Sequence, residues 1–291
     1  MPLLSVNLTV DYTAKPGVLR NACLRIEAGE IVGLAGQSGS GKSTMSLAIL
    51  GLLNKRAASV SGEIQFQGVD LLHASEKQFR SIRGKEIALV LQSALSSLNP
   101  SMTVGKHLWE AWRAHSSGSR KVWLERVLQL FNDVSLPANE EFLRRYPCEL
   151  SVGIAQRVLI AMSVLHRPAL LIADEPTSAL DVITQAETLR LFQQMNQRFG
   201  TAILFISHDL LSVANLCQRV AILHDGTIVE TGPPANVFSN PLHPYTRKLI
   251  AALPSFPVCA TSSATSDLLH LAAASYEGTT VTEDQLVREA K

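Results

Sequence analysis

Residues Gly36-Gln37-Ser38-Gly39-Ser40-Gly41-Lys42-Ser43-Thr44 follow the spacing G-x-x-x-x-G-K-[S/T], which suits a loop that wraps a polyphosphate. Glycines at 36, 39 and 41 let the backbone take positive φ and approach an anion closely, because there is no Cβ to clash. Lys42 supplies a charge that reaches the β- and γ-phosphates, and the Ser43 hydroxyl a ligand for Mg²⁺. Such a loop needs a buried strand before it and a helix after it. Glu30 to Ala35 is an apolar run of strand length, and Met45 to Leu53 reads as a helix whose free N–H groups and positive dipole end face the loop. That context favours a nucleotide site over a chance match in a Gly/Ser-rich loop.

Further chemistry collects at predicted strand ends. Ala169 to Ala173 is continuously apolar and delivers Asp174-Glu175 to its C-terminal end, the edge of a parallel α/β sheet where ligands bind. Beside a phosphate loop, Asp174 fits a Mg²⁺ ligand and Glu175 a base that orients water; the plainer reading is two exposed turn acids. Thr201 to Ile206 is a second buried strand, and it ends in Ser207-His208-Asp209. His208 there is either a structural residue or a γ-phosphate contact. A third apolar strand, Glu86 to Leu91, ends at Gln92. Tyr12, just ahead of the loop's strand, either packs at a strand end or stacks on an adenine ring.

The elements that position these residues follow from periodicity. Leu4, Val6, Leu8 and Val10 alternate with polar residues, Leu24 and Ile26 suggest a second strand, and Ile64 and Phe66 a third. The N-terminal third therefore reads as an antiparallel set laid on the nucleotide core. From Leu98-Asn99-Pro100 to about His166 the pattern turns helical, with Val104, Leu108, Ala111 and Trp112 on one face and Val122, Val127, Leu128 and Phe131 less regularly on another. All three tryptophans, Trp109, Trp112 and Trp123, lie here and serve either the core or a partner surface. Ser151 is placed as the N-cap of a helix that Arg167-Pro168 closes. After Ser178-Ala179-Leu180-Asp181 a helix runs to about Phe199, and His224-Asp225-Gly226 marks a hairpin. A short helix after Pro233-Pro234 and another ending near Leu253 follow. The Ser/Thr/Ala-rich stretch 255–291, with a short helix near Thr282 to Ala290, is expected to be mobile or loosely docked.

Composition bounds the partners. The 291 residues carry a formal net charge of +1 and 18% charged side chains, so no global field points to nucleic acid or an anionic membrane. No apolar run approaches the roughly 18 residues that span a bilayer, and the N-terminus lacks the features of a signal peptide; a cytoplasmic chain is expected. Cys23, Cys148, Cys217 and Cys259 are far apart without a C-x-x-C pair, so neither a zinc site nor a disulfide framework is expected, and the first three read as buried small apolar residues.

Taken in order, these motifs resemble the ATP-binding subunit of an ABC transporter over residues 3 to about 254. Gly36–Thr44 resembles the Walker A loop, Gln92 the Q-loop glutamine, and Leu150-Ser151-Val152-Gly153 the signature sequence. Ala169–Glu175 resembles Walker B with the catalytic glutamate, Ser178–Asp181 the D-loop, His208 the switch histidine and Tyr12 the adenine-stacking aromatic. The resemblance implies an α/β fold: a P-loop (RecA-like) nucleotide-binding core at about 1–92 and 166–240, with an N-terminal antiparallel β-subdomain, an inserted α-helical subdomain at about 93–165, and an extension from about 240. It implies ATP and Mg²⁺ as ligands. Tyr12, Gly36, Ser38, Gly39, Ser40, Gly41, Lys42, Ser43, Thr44, Ser151, Gly153 and Asp181 would contact nucleotide. Ser43, Gln92 and Asp174 would hold the metal, and Glu175, His208 and Gln92 would act in hydrolysis.

Finer features narrow the resemblance. Ser97-Leu98-Asn99-Pro100, Arg145-Tyr146-Pro147 and, most tellingly, Pro241-Leu242-His243-Pro244-Tyr245-Thr246 are similar to the oligopeptide, dipeptide and nickel import ATPases. That group implies a second, different ATPase subunit sharing ATP across the interface, two transmembrane permease subunits, an external solute-binding protein, and a peripheral place on the cytoplasmic face of the inner membrane. Many members carry a cysteine cluster near the C-terminus; only Cys259 lies there, so no iron–sulfur cluster is expected. The signature departs from the usual Leu-Ser-Gly-Gly in carrying Val152, then Ile154 and Ala155, which puts a β-branched side chain where close backbone approach is needed. The expected result is an asymmetric pair with one weaker site. The rival readings are an ATP-binding regulatory half with weak hydrolysis and a soluble ABC-type ATPase acting on nucleic acid or ribosomes; the second lacks the paired cassettes, the long coiled coil and the basic patch it would need.

Overall fold

The computed structural model describes residues 1–252. In chain order the elements are β1 (Leu4–Tyr12), β2 (Lys15–Ile26), β3 (Ile31–Ala35), α1 (Lys42–Ile49), β4 (Ala58–Phe66), β5 (Val69–Asp70), α2 (Glu76–Ile82) and β6 (Ile87–Val90). There follow α3 (Ala94–Ser97), α4 (Val104–Arg113), α5 (Arg120–Asp133), α6 (Glu140–Leu143) and α7 (Val152–Val164). The chain returns through β7 (Leu170–Asp174), α8 (Val182–Phe199), β8 (Ala202–Ser207), α9 (Leu210–Leu216), β9 (Arg219–His224), β10 (Thr227–Gly232), α10 (Pro234–Ser239) and α11 (Pro244–Ala251).

Two sheets form. The first is antiparallel in the order β2-β1-β4-β5, and the second has the order β10-β9-β3-β8-β7-β6, parallel except for the β9–β10 hairpin. Period-2 alternation divides the second sheet's apolar side chains between two cores. Val32, Leu34, Ile172, Leu204 and Ile206 meet α1 and the antiparallel sheet, whereas Ile31, Ala35, Leu171, Ala173, Ile203 and Phe205 meet the helices from α3 to α9. Because both faces are covered, these strands read as continuous apolar runs. The α/β class with an antiparallel β-layer and an inserted helical block is thus borne out.

Several local expectations change. Helix α1 stops at Ile49 rather than Leu53 because Gly51 turns to φ +60°, a left-handed stop that glycine takes without strain. On α5 the buried face is Trp123, Val127, Leu130 and Phe131, while Val122 is half exposed; the larger Trp123 takes the inward position and meets Trp109 edge to face, ring centroids 5.3 Å apart. Trp109 and Trp112 are partly buried against the same core. Of the three cysteines expected inside, only Cys217 is buried; Cys23 and Cys148 are exposed, because Cys23 falls on the outward face of β2 between inward Ala22 and Leu24. Helix α2, with Ser75 and Gln78 forming a capping box, was not anticipated. The 255–291 stretch, its short helix and Cys259 lie outside the described residues.

A charged clasp closes the base of the parallel sheet. Arg219 at the start of β9 donates from Nε and Nη2 to the two carboxylate oxygens of Glu30, both at 2.8 Å, just before β3. Burial pushes the Glu30 carboxyl up, but the Arg219 fork and the Glu27 region's backbone hydrogen bond more than offset it and hold the group below its ordinary 4.5. A carboxyl lowered in this way stabilises the fold above its unfolded pKa, and the contribution fades as pH falls toward the lowered folded value. Glu30→Gln is therefore expected to cost about 1.5–3 kcal/mol at pH 7, with the deficit against the native chain shrinking below pH 4.5; denaturant unfolding at pH 7 and pH 3.5, the latter about one unit below that value, measures both arms.

Candidate nucleotide site

The phosphate loop sits where three strand ends meet. Gly36 leaves β3 directly against β9: a Cβ there would fall 2.2 Å from the Leu223 carbonyl oxygen, so no other residue fits without moving the strand. The loop closes on itself through Lys42, whose Nζ donates to the Gly36 carbonyl at 2.8 Å and the Gln37 carbonyl at 2.9 Å. The Lys42 side chain is almost fully buried. Burial depresses its pKa, and the negative charges of Glu175 and Asp174 work in the opposite direction. The next residue, Ser43, is exposed at the first turn of α1, while Ser40 Oγ is buried without a hydrogen-bond partner. Ser38 and Gly39 are exposed along the outside of the loop, and Gly41 and Thr44 flank Lys42 and Ser43.

Strand β7 carries Asp174 to this loop. Burial raises the Asp174 carboxyl above its ordinary value; the Ser43 hydroxyl, Lys42 and Ser46 restrain the rise and Glu175 adds to it. Ser46 Oγ lies 3.5 Å from Oδ2, but Oδ1 is buried with no hydrogen-bond partner at all. An orphaned carboxylate oxygen next to an exposed serine hydroxyl is a donor set of hard oxygens, the kind a Mg²⁺ ion takes together with water and phosphate. The residues present fit that ion.

Glu175 is the centre of a second constellation. Its backbone is left-handed, φ +49°, a conformation that costs a non-glycine residue about 1 kcal/mol, and it is held there by Glu175 N–H donating to the Ile206 carbonyl at 2.9 Å. The Ser178 hydroxyl donates to the Glu175 carbonyl at 3.1 Å. This turns the carboxylate across the strand ends, where His208 Nδ1 meets Oε2 at 3.0 Å and Gln92 Nε2 donates to the same oxygen at 3.4 Å. The ends of β6, β7 and β8 thus converge on one carboxylate oxygen.

Other residues singled out in the sequence lie elsewhere. Tyr12 ends β1, paired with Lys15 and Ala58, in the sheet whose Val18 and Leu19 pack against Gly41. Ser151 caps α7, its hydroxyl accepting from Ile154 N at 3.3 Å, and Val152 beside it is 40% exposed, so this helix end faces outward. Asp181 caps α8, accepting from the N–H groups of Ile183 and Thr184 and from the Thr184 hydroxyl at 2.7 Å. A Cβ on Gly153 would lie 2.7 Å from Thr184 Cγ2, so the starts of α7 and α8 touch at this glycine. Sequence reasoning missed one participant. The Tyr245 hydroxyl accepts a hydrogen bond from Gln37 N at 2.9 Å, across 208 positions that no periodicity could connect.

A Gly-rich loop with a buried lysine, an orphaned carboxylate and a glutamate poised at the strand ends define a P-loop ATPase. Residues 19–178 match the family model described as ABC transporter, more than half of the chain, and residues 229–265 match the oligopeptide/dipeptide transporter C-terminal region. Similar proteins include the probable peptide ABC transporter ATP-binding protein y4tR of Sinorhizobium fredii, 46% identical over 79% of this chain and 69% of that protein. The dipeptide transport ATP-binding protein DppD of Escherichia coli is 42% identical over 79% of this chain and 71% of that one. Among solved structures, the dimeric post-hydrolysis state of the ATP-binding cassette MJ0796 bound to ADP and Pi aligns with TM-score 0.68 and 27% identity, over 79% of this chain and 98% of that one. The chain belongs to the ABC transporter family, and is one of its ATP-hydrolysing, ATP-binding subunits.

The raised Asp174 carboxyl yields a test with opposite effects on stability and activity. A carboxyl raised by burial destabilises the fold above its folded pKa, and that cost disappears as pH falls below the unfolded value of 3.8. Asp174→Asn is expected to raise the melting temperature of the chain without nucleotide at pH 7, to lose that gain near pH 3.5, about where the unfolded group is itself protonated, and to lower Mg²⁺-dependent hydrolysis at least about a hundredfold.

Proposed function

We propose that this chain binds Mg²⁺–ATP at the loop 36–44, hydrolyses it with Glu175, and so powers import of a peptide-class solute through two membrane subunits. The observation that carries the reading is the junction of Glu175 with His208 and Gln92 beside buried Lys42. A carboxylate, an imidazole and an amide meet at one oxygen there. Lys42 would turn from the loop carbonyls to the β- and γ-phosphates, with the N–H groups from Ser38 to Thr44 around them. Mg²⁺, held by Ser43, Asp174 and Gln92, would supply charge neutralisation for the phosphates. Glu175 would accept a proton from the attacking water, His208 would contact the γ-phosphate, and Tyr12 would stack on adenine.

ATP is read as shared with a second cassette. The outward end of α7 supports this, because Ser151 and Gly153 lie on a helix N-terminus suited to a γ-phosphate from outside the chain, with Asp181 at the neighbouring helix start. The relatives named for peptides and dipeptides, together with the match at 229–265, favour peptide cargo; nickel or a metal chelate is the other cargo class of the same resemblance. An external solute-binding protein would deliver the cargo, and no nucleic acid takes part. Among the described residues no helix is long and apolar enough to cross a membrane, consistent with a peripheral subunit docked on permeases from the cytoplasmic side.

Glu175→Gln in this chain alone is expected to lower ATP turnover of the assembled transporter at least about a hundredfold while leaving ATP binding intact; phosphate release together with nucleotide binding checks it. Retained turnover, lost only with the equivalent change in the partner, would make this chain the regulatory half. The exposed Val152 generates a second expectation. If it props the interface open over the partner's nucleotide, Val152→Gly raises turnover of a pair whose partner provides the only active base, measured with Glu175→Gln present in this chain.

A further inference from the structure

The His-Pro-Tyr segment lies folded against the phosphate loop. Glu230 on β10 accepts from the N–H groups of Leu242 and His243 at 2.9 and 3.1 Å, which pins the segment before α11. Arg247 returns to the carbonyls of Pro241 and Leu242 at 3.1 and 2.9 Å and closes it into a rigid turn. His243 caps α11 by accepting from Tyr245 N at 3.2 Å. Tyr245 is then laid flat on His224, ring centroids 3.7 Å apart and planes within 12°. His224 is the last residue of β9, next to the Leu223 carbonyl on which Gly36 rests. The stack therefore sets the Tyr245 hydroxyl 2.9 Å from Gln37 N.

Gln37 is gripped at both ends: its carbonyl accepts from Lys42 Nζ at 2.9 Å, its N–H donates to Tyr245. When Lys42 turns to phosphate, the Gln37 carbonyl keeps only the longer hydrogen bond from Ser40 N at 3.3 Å, and the Tyr245 hydroxyl is the hold that remains on the Gln37 N–H. We propose that Tyr245 is a positioning residue for nucleotide phosphate binding: through its hydroxyl the C-terminal segment keeps the loop preorganised for the β- and γ-phosphates. Holding a loop in its binding conformation reduces the ordering that binding must supply. The inference rests on the reading of residues 36–44 as the nucleotide site.

Because the hold acts on ground state and transition state alike, its loss raises KM and leaves kcat nearly unchanged. Tyr245→Phe removes only the hydroxyl and keeps the ring on His224. In steady-state hydrolysis by the assembled transporter, its KM for Mg²⁺–ATP is expected to rise about two- to tenfold with kcat within about twofold. Affinity of the full chain for Mg²⁺–ADP falls by the same factor, and its melting temperature without nucleotide stays put. His224→Ala raises KM in the native background but adds nothing in the Tyr245→Phe background, since it acts through the same hydroxyl. Unchanged KM and ADP affinity in Tyr245→Phe overturn the proposal, as does a fall in kcat and melting temperature together, which marks a structural role only. Lys42→Ala separates the two levels of inference: if it binds nucleotide normally, the site reading itself fails, and if it loses binding while Tyr245→Phe does not, only the role of Tyr245 fails.

Discussion

The architecture depends on keeping an ammonium group charged out of contact with bulk water. An isolated buried lysine would shed its proton, and Lys42 is buried with its pKa already depressed by that burial. What sustains it is a pair of carbonyls from its own loop and the negative charge of Glu175 and Asp174. Those carboxylates can be there only because β7 lies two strands from β3, with β8 between them, so that the strand ends come level. The parallel order, the crossover helices and the two separate cores all serve to bring one cation and two anions together at a sheet edge.

The same cluster explains why Asp174 and Glu175 differ although they are neighbours. Asp174 ends a strand, and one of its oxygens is buried without a partner. Glu175 has left the strand into a left-handed turn and spends its carboxylate on His208 and Gln92. Adjacent carboxyls with opposed environments are what the proposed division into a metal-holding and a proton-accepting group would require. The backbone turn between them sets that difference, at a cost in strain for a non-glycine residue.

Much of this was legible in the sequence for physical reasons. Strands covered on both faces read as apolar runs, so Ala169 to Ala173 and Thr201 to Ile206 announced themselves, and with them the positions of Asp174, Glu175 and His208. Ser151 announced a helix start through its side-chain oxygen, and His224-Asp225-Gly226 a tight hairpin, with Asp225 and Gly226 both at positive φ. What was illegible depends on tertiary choice. Nothing local says that Trp123 rather than Val122 turns inward, or that Cys23 falls on the outward side of its strand. Least legible of all was Tyr245 on Gln37, since a hydrogen bond between residues 208 positions apart leaves no period or spacing to read.

Gly153 and Thr184 have a consequence for how such a sequence can drift. The absent Cβ at 153 would stand 2.7 Å from a Thr184 methyl, and the same threonine is fixed by the Asp181 carboxylate through its hydroxyl. A larger residue at 153 requires position 184 to give up its methyl, and only serine does so while keeping the hydroxyl that Asp181 holds. The helical block and the core are therefore joined by a pair in which position 184 must change before position 153 can grow. Grafting one cassette's helical block onto another's core should succeed or fail on whether that pair is transferred together.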